Sequence, residues 1–260
     1  MNYNYHTHTY RCRHASGTPE EYIQRAISKG IEYMGFSDHA PFVCTNGEES
    51  LYRVSTYESK DYVAELSALR EKYAGKIDIK IGFEMEYYPK HFEKMLGFVK
   101  SCGAEYLILG EHFLEEENPD GVHASWAYQN EGYLTEYADC VIAAMNTRVF
   151  TYVAHPDIIN FTGDEKLFDY HIRRICIAAR ETNTPLEINF LGIRGNRLYP
   201  NDAFWKIAGE EKSPVTFGLD AHTADTAFDS ESIEKAERLV EKYNLNYIGR
   251  PEIRLIQEIK

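Results

Sequence analysis

Along this chain, period-two or continuous apolar runs alternate with stretches whose apolar residues recur every three or four positions. That alternation is the pattern of strand–helix units with a parallel sheet. It predicts strands near 2–8, 32–38, 78–86, 105–112, 149–155, 185–191 and 213–220. Helices are expected near 19–29, 57–74, 90–101, 130–146, 165–182, 200–209 and 230–243. The first helix is punctuated at both ends: Thr18 as N-cap, Pro19 at the first helical position, Glu21 closing a capping box, and Gly30 just past the end. The second carries Tyr62, Val63, Leu66, Leu69 and Tyr73 as a stripe that would pack on a sheet. Seven such units in one piece predict an α/β barrel of TIM-like kind, with 1–260 as a single domain. An open doubly wound sheet would gather its ligands at one switch point instead. The stretch 245–260 is expected to add a short strand or to pack beneath the barrel.

The residues that end the apolar runs add chemistry to this picture. His6 and His8 close the first run, His39 the second, Glu84 the third, His112 the fourth, His155 the fifth, and Asp220 with His222 the seventh. A barrel with all strands parallel collects such ends on one face. Residues two apart on a strand point the same way, so His6 and His8 can share one ion, as can Asp220 and His222. Nitrogen and oxygen donors without sulfur suit zinc, manganese or iron. One His-x-His is a weak signal; agreement across six strand ends is not. His91, His123 and His171 fall in helices or a loop and receive no ligand role. Glu86 reads as a packed or solvated carboxylate ahead of an acceptor that orients a ligand, and Cys12 lies within reach of the site without being expected to bind there.

Composition narrows the partners. The 260 residues carry a formal net charge of −13, a field that repels polyanions and argues against nucleic acid. A small phosphate ester is not excluded, because divalent ions dominate the local field. Five scattered cysteines without Cys-x-x-Cys spacing suit a reducing cytosol, and no apolar run approaches the ~20 residues needed to cross a bilayer. With no apolar leader ahead of His6, a cytoplasmic location is expected.

The residues quoted so far fall into a known order. His6-Thr7-His8-Thr9, His14-Ala15-Ser16-Gly17-Thr18, Gly35-Phe36-Ser37-Asp38-His39-Ala40-Pro41, Gly82-Phe83-Glu84, His112-Phe113, His155-Pro156-Asp157 and Asp220-Ala221-His222 span nearly the whole chain. In these the sequence resembles the PHP (polymerase and histidinol phosphatase) superfamily, and within it the histidinol-phosphate phosphatases. The resemblance implies a distorted (β/α)7 barrel holding two or three divalent ions (Zn, Mn or Fe). It implies that His6, His8, Glu84 and Asp220 bind a first ion, that Glu84 bridges to a second completed by His112 and His155, and that His14, His39 and His222 hold a third. His14 enters only through the resemblance. Glu111 stands where related sequences often have a small or apolar residue, which implies different surroundings for the second ion, and 115–126 matches nothing in the family pattern. Amidohydrolase barrels also open with His-x-His, but they bring a bridging lysine at the fourth strand, where this chain has His112.

The resemblance implies a metal-dependent phosphatase that hydrolyses L-histidinol phosphate in histidine biosynthesis. Hydroxide held between ions at His6, His8, Glu84 and Asp220 is expected to attack phosphorus directly, with Ser37 structural. Arg194 and Arg197, beyond the sixth strand, are the expected phosphate contacts, ahead of Arg13. Asp38 and Asp157 are expected to orient His39 and His155, or Asp157 to protonate the leaving oxygen. Glu115, Glu116 and Glu117 read as a solvated run that could face a cationic substrate. The alternatives are a PHP-type phosphoesterase or nuclease acting on another ester or on nucleic-acid ends, and a non-catalytic metal-binding module.

Overall fold

A computed structural model describes residues 1–44, 47–114, 116–117 and 121–259. Eight strands lie in one sheet in chain order, every neighbouring pair parallel. They are β1 (Tyr3–Asn4), β2 (Tyr33–His39), β3 (Asp78–Met85), β4 (Tyr106–Leu109), β5 (Phe150–Val153), β6 (Leu186–Asn189), β7 (Pro214–Gly218) and β8 (Asn246–Tyr247). The helices between them are α1 (Pro19–Ser28), α2 (Ser59–Lys72), α3 (Phe92–Cys102), α4 (Glu131–Asn146), α5 (Glu165–Thr182), α6 (Phe190–Arg194), α7 (Asp202–Glu211) and α8 (Ser230–Tyr243). The capping box of Thr18 and Glu21 forms at the start of α1. The α2 stripe packs as its spacing predicts, with Tyr62 and Leu66 fully buried.

The sheet curls until β1 meets β7, giving a distorted TIM-like barrel. At the top the backbone closes the seam: Thr7 bridges Ala221, His8 N–H donates to Ala221 O at 3.0 Å, and Ala221 N–H donates to His6 O at 3.2 Å. Lower down, side chains of β1 stand in for the ladder. The Tyr3 hydroxyl accepts from Phe217 N–H at 3.2 Å and Asn4 Oδ1 from Leu219 N–H at 3.0 Å. The first and seventh runs therefore register at their ends, where the histidines and Asp220 sit.

Two apolar clusters hold the barrel. The larger joins the outer face of the sheet to the helices. The smaller comprises Tyr3, Tyr5, Tyr106, Ile108, Tyr152 and Ala154 from β1, β4 and β5 and the residues just beyond them, with Ile253 of the tail packed against it. The tail does both things expected of it. It adds β8 beside β7, then crosses the strand starts, where Arg250 stacks 3.7 Å over Tyr33 and Ile256 N–H donates to Glu105 O. The sequence reading differs from the fold at the sixth unit. The run 185–191 is strand only to Asn189; the Asn189 side chain accepts from Gly192 N–H and starts α6, a helix the apolar pattern concealed.

Candidate metal centre

The extended segment after β1 carries His6 and His8, both wholly buried, with their Nε2 atoms 3.1 Å apart. From β3, Glu84 Oε2 lies 3.4 Å from His6 Nε2 and 3.5 Å from His8 Nε2. From the turn after β7, Asp220 Oδ1 lies 3.6 Å and 3.3 Å from the same two nitrogens. Four ligands placed tetrahedrally at ordinary zinc–nitrogen and zinc–oxygen distances stand about 3.3–3.4 Å apart along each edge. The separations among His6, His8 and Glu84 bracket that value, and Asp220 Oδ1 stands at a similar distance from the two histidines. Glu84 Oε2 and Asp220 Oδ1 are buried with no hydrogen-bond partner among the described residues. Burying such oxygens is costly unless a cation faces them, so these four side chains fit a divalent ion.

Glu84 turns its second oxygen the other way. Oε1 lies 2.9 Å from His155 Nε2 and 3.6 Å from His112 Nε2. One carboxylate thus faces two groups of imidazoles, the arrangement of a bridging ligand. Donor atoms of His14, His39 and His222 lie within 4.8 Å of one another, and so do those of His39, Glu84 and His112. All nine expected ligand residues therefore converge on one basin at the strand ends. The backbone bends to bring two of them in: His155 and Asp220 hold positive φ of 30° and 46°, which costs on the order of 1–3 kcal/mol each.

A surrounding layer fixes which atoms face the basin. His6 Nδ1 donates to Glu187 Oε1 at 2.8 Å, which leaves Nε2 as the free donor. Glu187 is fully buried on β6, and its other oxygen accepts from His155 N–H and from the Asn189 amide, whose Nδ2 also reaches Asp220 Oδ2 at 3.0 Å. His14 Nδ1 donates to Cys12 O at 2.7 Å. Asp38 accepts from the N–H groups of Thr9 and His39, each at 3.0 Å, fixing the loop between His8 and His14 and the backbone of His39. Ser37 Oγ accepts from Thr7 N–H, a structural place. Glu86 takes the less expected of its two roles: it is buried, accepts from His112 Nδ1 at 2.9 Å, and is gripped by both amino groups of Arg53. The Arg53 Nε also donates to Glu117. Gly110 leaves room for the Glu84 carboxylate, since a Cβ there would stand 2.0 Å from its Oε1.

Charge follows from these contacts. Burial alone would lower His6 and His8, but the acids around them win: Glu187, Asp220 and Glu84 raise His6 well above its usual value, and Asp220 and Asp38 raise His8 to about 9. Glu84 and Asp220 are held well below the carboxylate range against the opposing effect of burial, Glu84 by His112, His39 and His6, and Asp220 by His6, His222 and His8. His14, His39 and His222 are lowered, by burial first and then by the neighbouring imidazoles. Neutral imidazoles and ionised carboxylates are the metal-binding forms of these groups.

Above the basin opens a cavity of about 930 Å³. Arg197 and Tyr199 line it, and the Arg197 guanidinium donates to the Tyr199 hydroxyl at 3.1 Å. Arg194 is placed otherwise than expected. Its two amino groups donate to the carbonyls of Leu219 and Asp220 at 2.7 Å and 2.5 Å, because α6 turns it behind Asp220 and off the cavity wall. Arg13 pairs with Glu58 outside the cavity lining. Asp157 also departs from the role of acid. Its Oδ2 accepts from Asn201 N–H and Trp205 Nε1, each at 2.7 Å, anchoring the start of α7, and it lies off the cavity lining although burial pushes it up to about 6. Glu111 points away from His112 to accept from Tyr87 N–H, and burial with nearby Glu86 pushes its carboxyl well up. In the acidic run Glu115 lies outside the described residues, Glu116 pairs with His91 at 3.0 Å, and Glu117 pairs with Arg53, so these last two are not simply solvated. His171 is buried in α5, away from the basin. His123, given no role from sequence, lines the cavity beside His112.

The PHP domain model matches residues 4–190. The chain belongs to the PHP domain family. This PHP protein is 28% identical over 226 residues to a probable histidinol-phosphatase of Deinococcus radiodurans, covering 84% of this chain and 85% of that one. It is 27% identical over 251 residues to the histidinol-phosphatase of Bacillus subtilis, covering 84% and 92%. In three dimensions it is similar to histidinol phosphate phosphatase of Lactococcus lactis, crystallised with zinc, L-histidinol and phosphate, with a TM-score of 0.72, 20% identity, and coverage of 100% of this chain and 98% of that one. The last likeness shows a shared fold.

Proposed function

We propose that this PHP protein is a metal-dependent phosphomonoesterase that hydrolyses L-histidinol phosphate to L-histidinol and phosphate in histidine biosynthesis. The observation that carries the reading is the nest of His6, His8, Glu84 and Asp220, whose donor spacing and orphaned buried oxygens suit an ion. The named activity of the Deinococcus, Bacillus and Lactococcus relatives supports the choice of substrate. We read the site as holding two or three divalent ions, zinc first among zinc, manganese and iron: His6, His8, Glu84 and Asp220 for one, Glu84, His112 and His155 for a second, and His14, His39 and His222 for a third. Such ions, when bound, supply a water of lowered pKa and neutralise phosphate charge.

The chain's own groups do the rest. The Arg197 fork faces the cavity and suits phosphoryl oxygens. Glu187, Glu86 and Asp38 hold imidazoles and loop backbone in place, so little reorganisation is needed when the substrate arrives. We take 1–260 as one domain, since Asp220 and His222 lie beyond the matched 4–190 yet complete the basin. A cytoplasmic place agrees with the five free cysteines. Among the described residues no helix is long and apolar enough to cross a membrane.

The test is a panel of phosphomonoesters and single-stranded oligonucleotides offered to metal-loaded protein. Selective release of phosphate from L-histidinol phosphate is expected. Trimming of oligonucleotide ends, or silence toward every ester, would refute the reading.

A further inference from the structure

We propose that His123 is a catalytic residue that donates a hydrogen bond from Nε2 to the ester oxygen of the substrate. This deepens the phosphomonoesterase reading and rests on it. The backbone pins the residue beside the basin: Ala124 N–H donates to His112 O at 2.7 Å, Leu114 N–H donates to Val122 O at 2.9 Å, and Phe113 pairs with His123 as an antiparallel bridge. The imidazole stands 6.2 Å from the His112 ring and packs against Phe113 at 5.1 Å, ring centre to ring centre.

Its tautomer is set by its own turn. Ser125 N–H donates to His123 Nδ1 at 3.2 Å, and a backbone amide can only donate, so Nδ1 carries no proton. The Ser125 hydroxyl lies 2.8 Å from the same nitrogen. The proton therefore sits on Nε2, on the far side of the ring, and no acceptor for it is found among the described residues.

The position selects the oxygen it meets. In-line displacement puts the entering and leaving oxygens on opposite sides of phosphorus. His6, His8, Glu84 and Asp220 form the buried floor, whereas His123 is only half-buried and stands with the exposed Trp126 at the mouth. The leaving oxygen faces that mouth. An imidazole whose Nδ1 is held as an acceptor stabilises developing negative charge there through the Nε2 hydrogen bond, and the departing alkoxide takes its proton from solvent water at the mouth.

The test compares His123→Leu and His123→Gln with the unaltered metal-loaded protein. L-histidinol phosphate has an alkoxide leaving group that needs help; 4-nitrophenyl phosphate has a stable phenolate that does not. Leucine should lower kcat on L-histidinol phosphate roughly a hundred-fold and far less on the aryl ester. Glutamine, whose amide nitrogen reaches the place of Nε2, should recover most of the loss, with metal content equal in all three proteins. The nitrogen-15 shift of His123 should show Nδ1 as the unprotonated atom. Equal losses on both esters, no recovery by glutamine, an ion lost from the leucine variant, or a protonated Nδ1 would each overturn the proposal. If the unaltered protein turns over neither ester, the phosphomonoesterase reading itself falls; if it is active but the two esters suffer alike, only His123 loses its role.

Discussion

Glu187 accepts a hydrogen bond from His6 Nδ1 at 2.8 Å, and neither side chain touches solvent. The carboxylate fixes the ring so that Nε2 faces Glu84 and Asp220. The Glu187→Gln substitution keeps the shape but removes the charge that holds the imidazole. Loss of such an outer partner lowers metal affinity about 10–100-fold. Competition with a zinc chelator should show that drop for the tightest site while the fold is retained. Unchanged affinity would remove Glu187 from the centre.

Gly110 borders the same carboxylate that faces both groups of imidazoles. A methyl group there would stand 2.0 Å from Glu84 Oε1 and 2.6 Å from its Cδ, so Glu84 would have to move. Gly110→Ala should lose bound metal more severely than it loses thermal stability. Elemental analysis beside a melting curve reads both.

Arg53 ties two buried acids together, Glu86 behind His112 and Glu117 from the following loop. Arg53→Met leaves both carboxylates buried without their cation, a change that costs about 3–5 kcal/mol. A denaturant midpoint measures it. Adding Glu86→Gln and Glu117→Gln should restore part of the lost stability, because the uncompensated charges are then gone.

The titrating groups of the basin oppose one another. Stability from Glu84 and Asp220 is present above the unfolded carboxylate range near ~4 and is lost as pH falls through their lowered folded values. Stability from His6 and His8 is complete below an unfolded value near ~6.5 and fades as pH rises through their raised folded values, about 9 for His8. Without metal, this cluster stabilises the protein most between those two ranges. At neutral pH the metal must displace protons from His6 and His8, so affinity should climb toward pH 9. Calorimetry in buffers of different ionisation enthalpy should detect the released protons; a binding enthalpy indifferent to buffer would contradict this.

Much of the barrel was legible because six of the seven apolar runs stop at a residue with an evident chemical purpose. His39, Glu84, His112, His155 and Asp220 all stand at or just beyond strand ends, where the sequence places them. Glu187 was not legible, since its partner His6 lies 181 positions away and nothing local marks it. A charged residue inside the apolar run 185–191 was the available signal, because buried acids are rarely left unpaired. Arg53 and His123 come from loops without periodicity, and only tertiary contacts put them at the site. Arg194 and Arg197 looked equivalent in sequence; the short α6 separates them, turning one to backbone carbonyls and leaving the other on the cavity wall.

Anomalous diffraction from crystals soaked in zinc tests the central claim most directly. The expected result is a strong peak within about 2.0–2.2 Å of His6 Nε2, His8 Nε2, Glu84 Oε2 and Asp220 Oδ1, with further density between Glu84 and the imidazoles of His112 and His155. An empty basin, or imidazoles turned away from one another in the presence of saturating zinc, would contradict it.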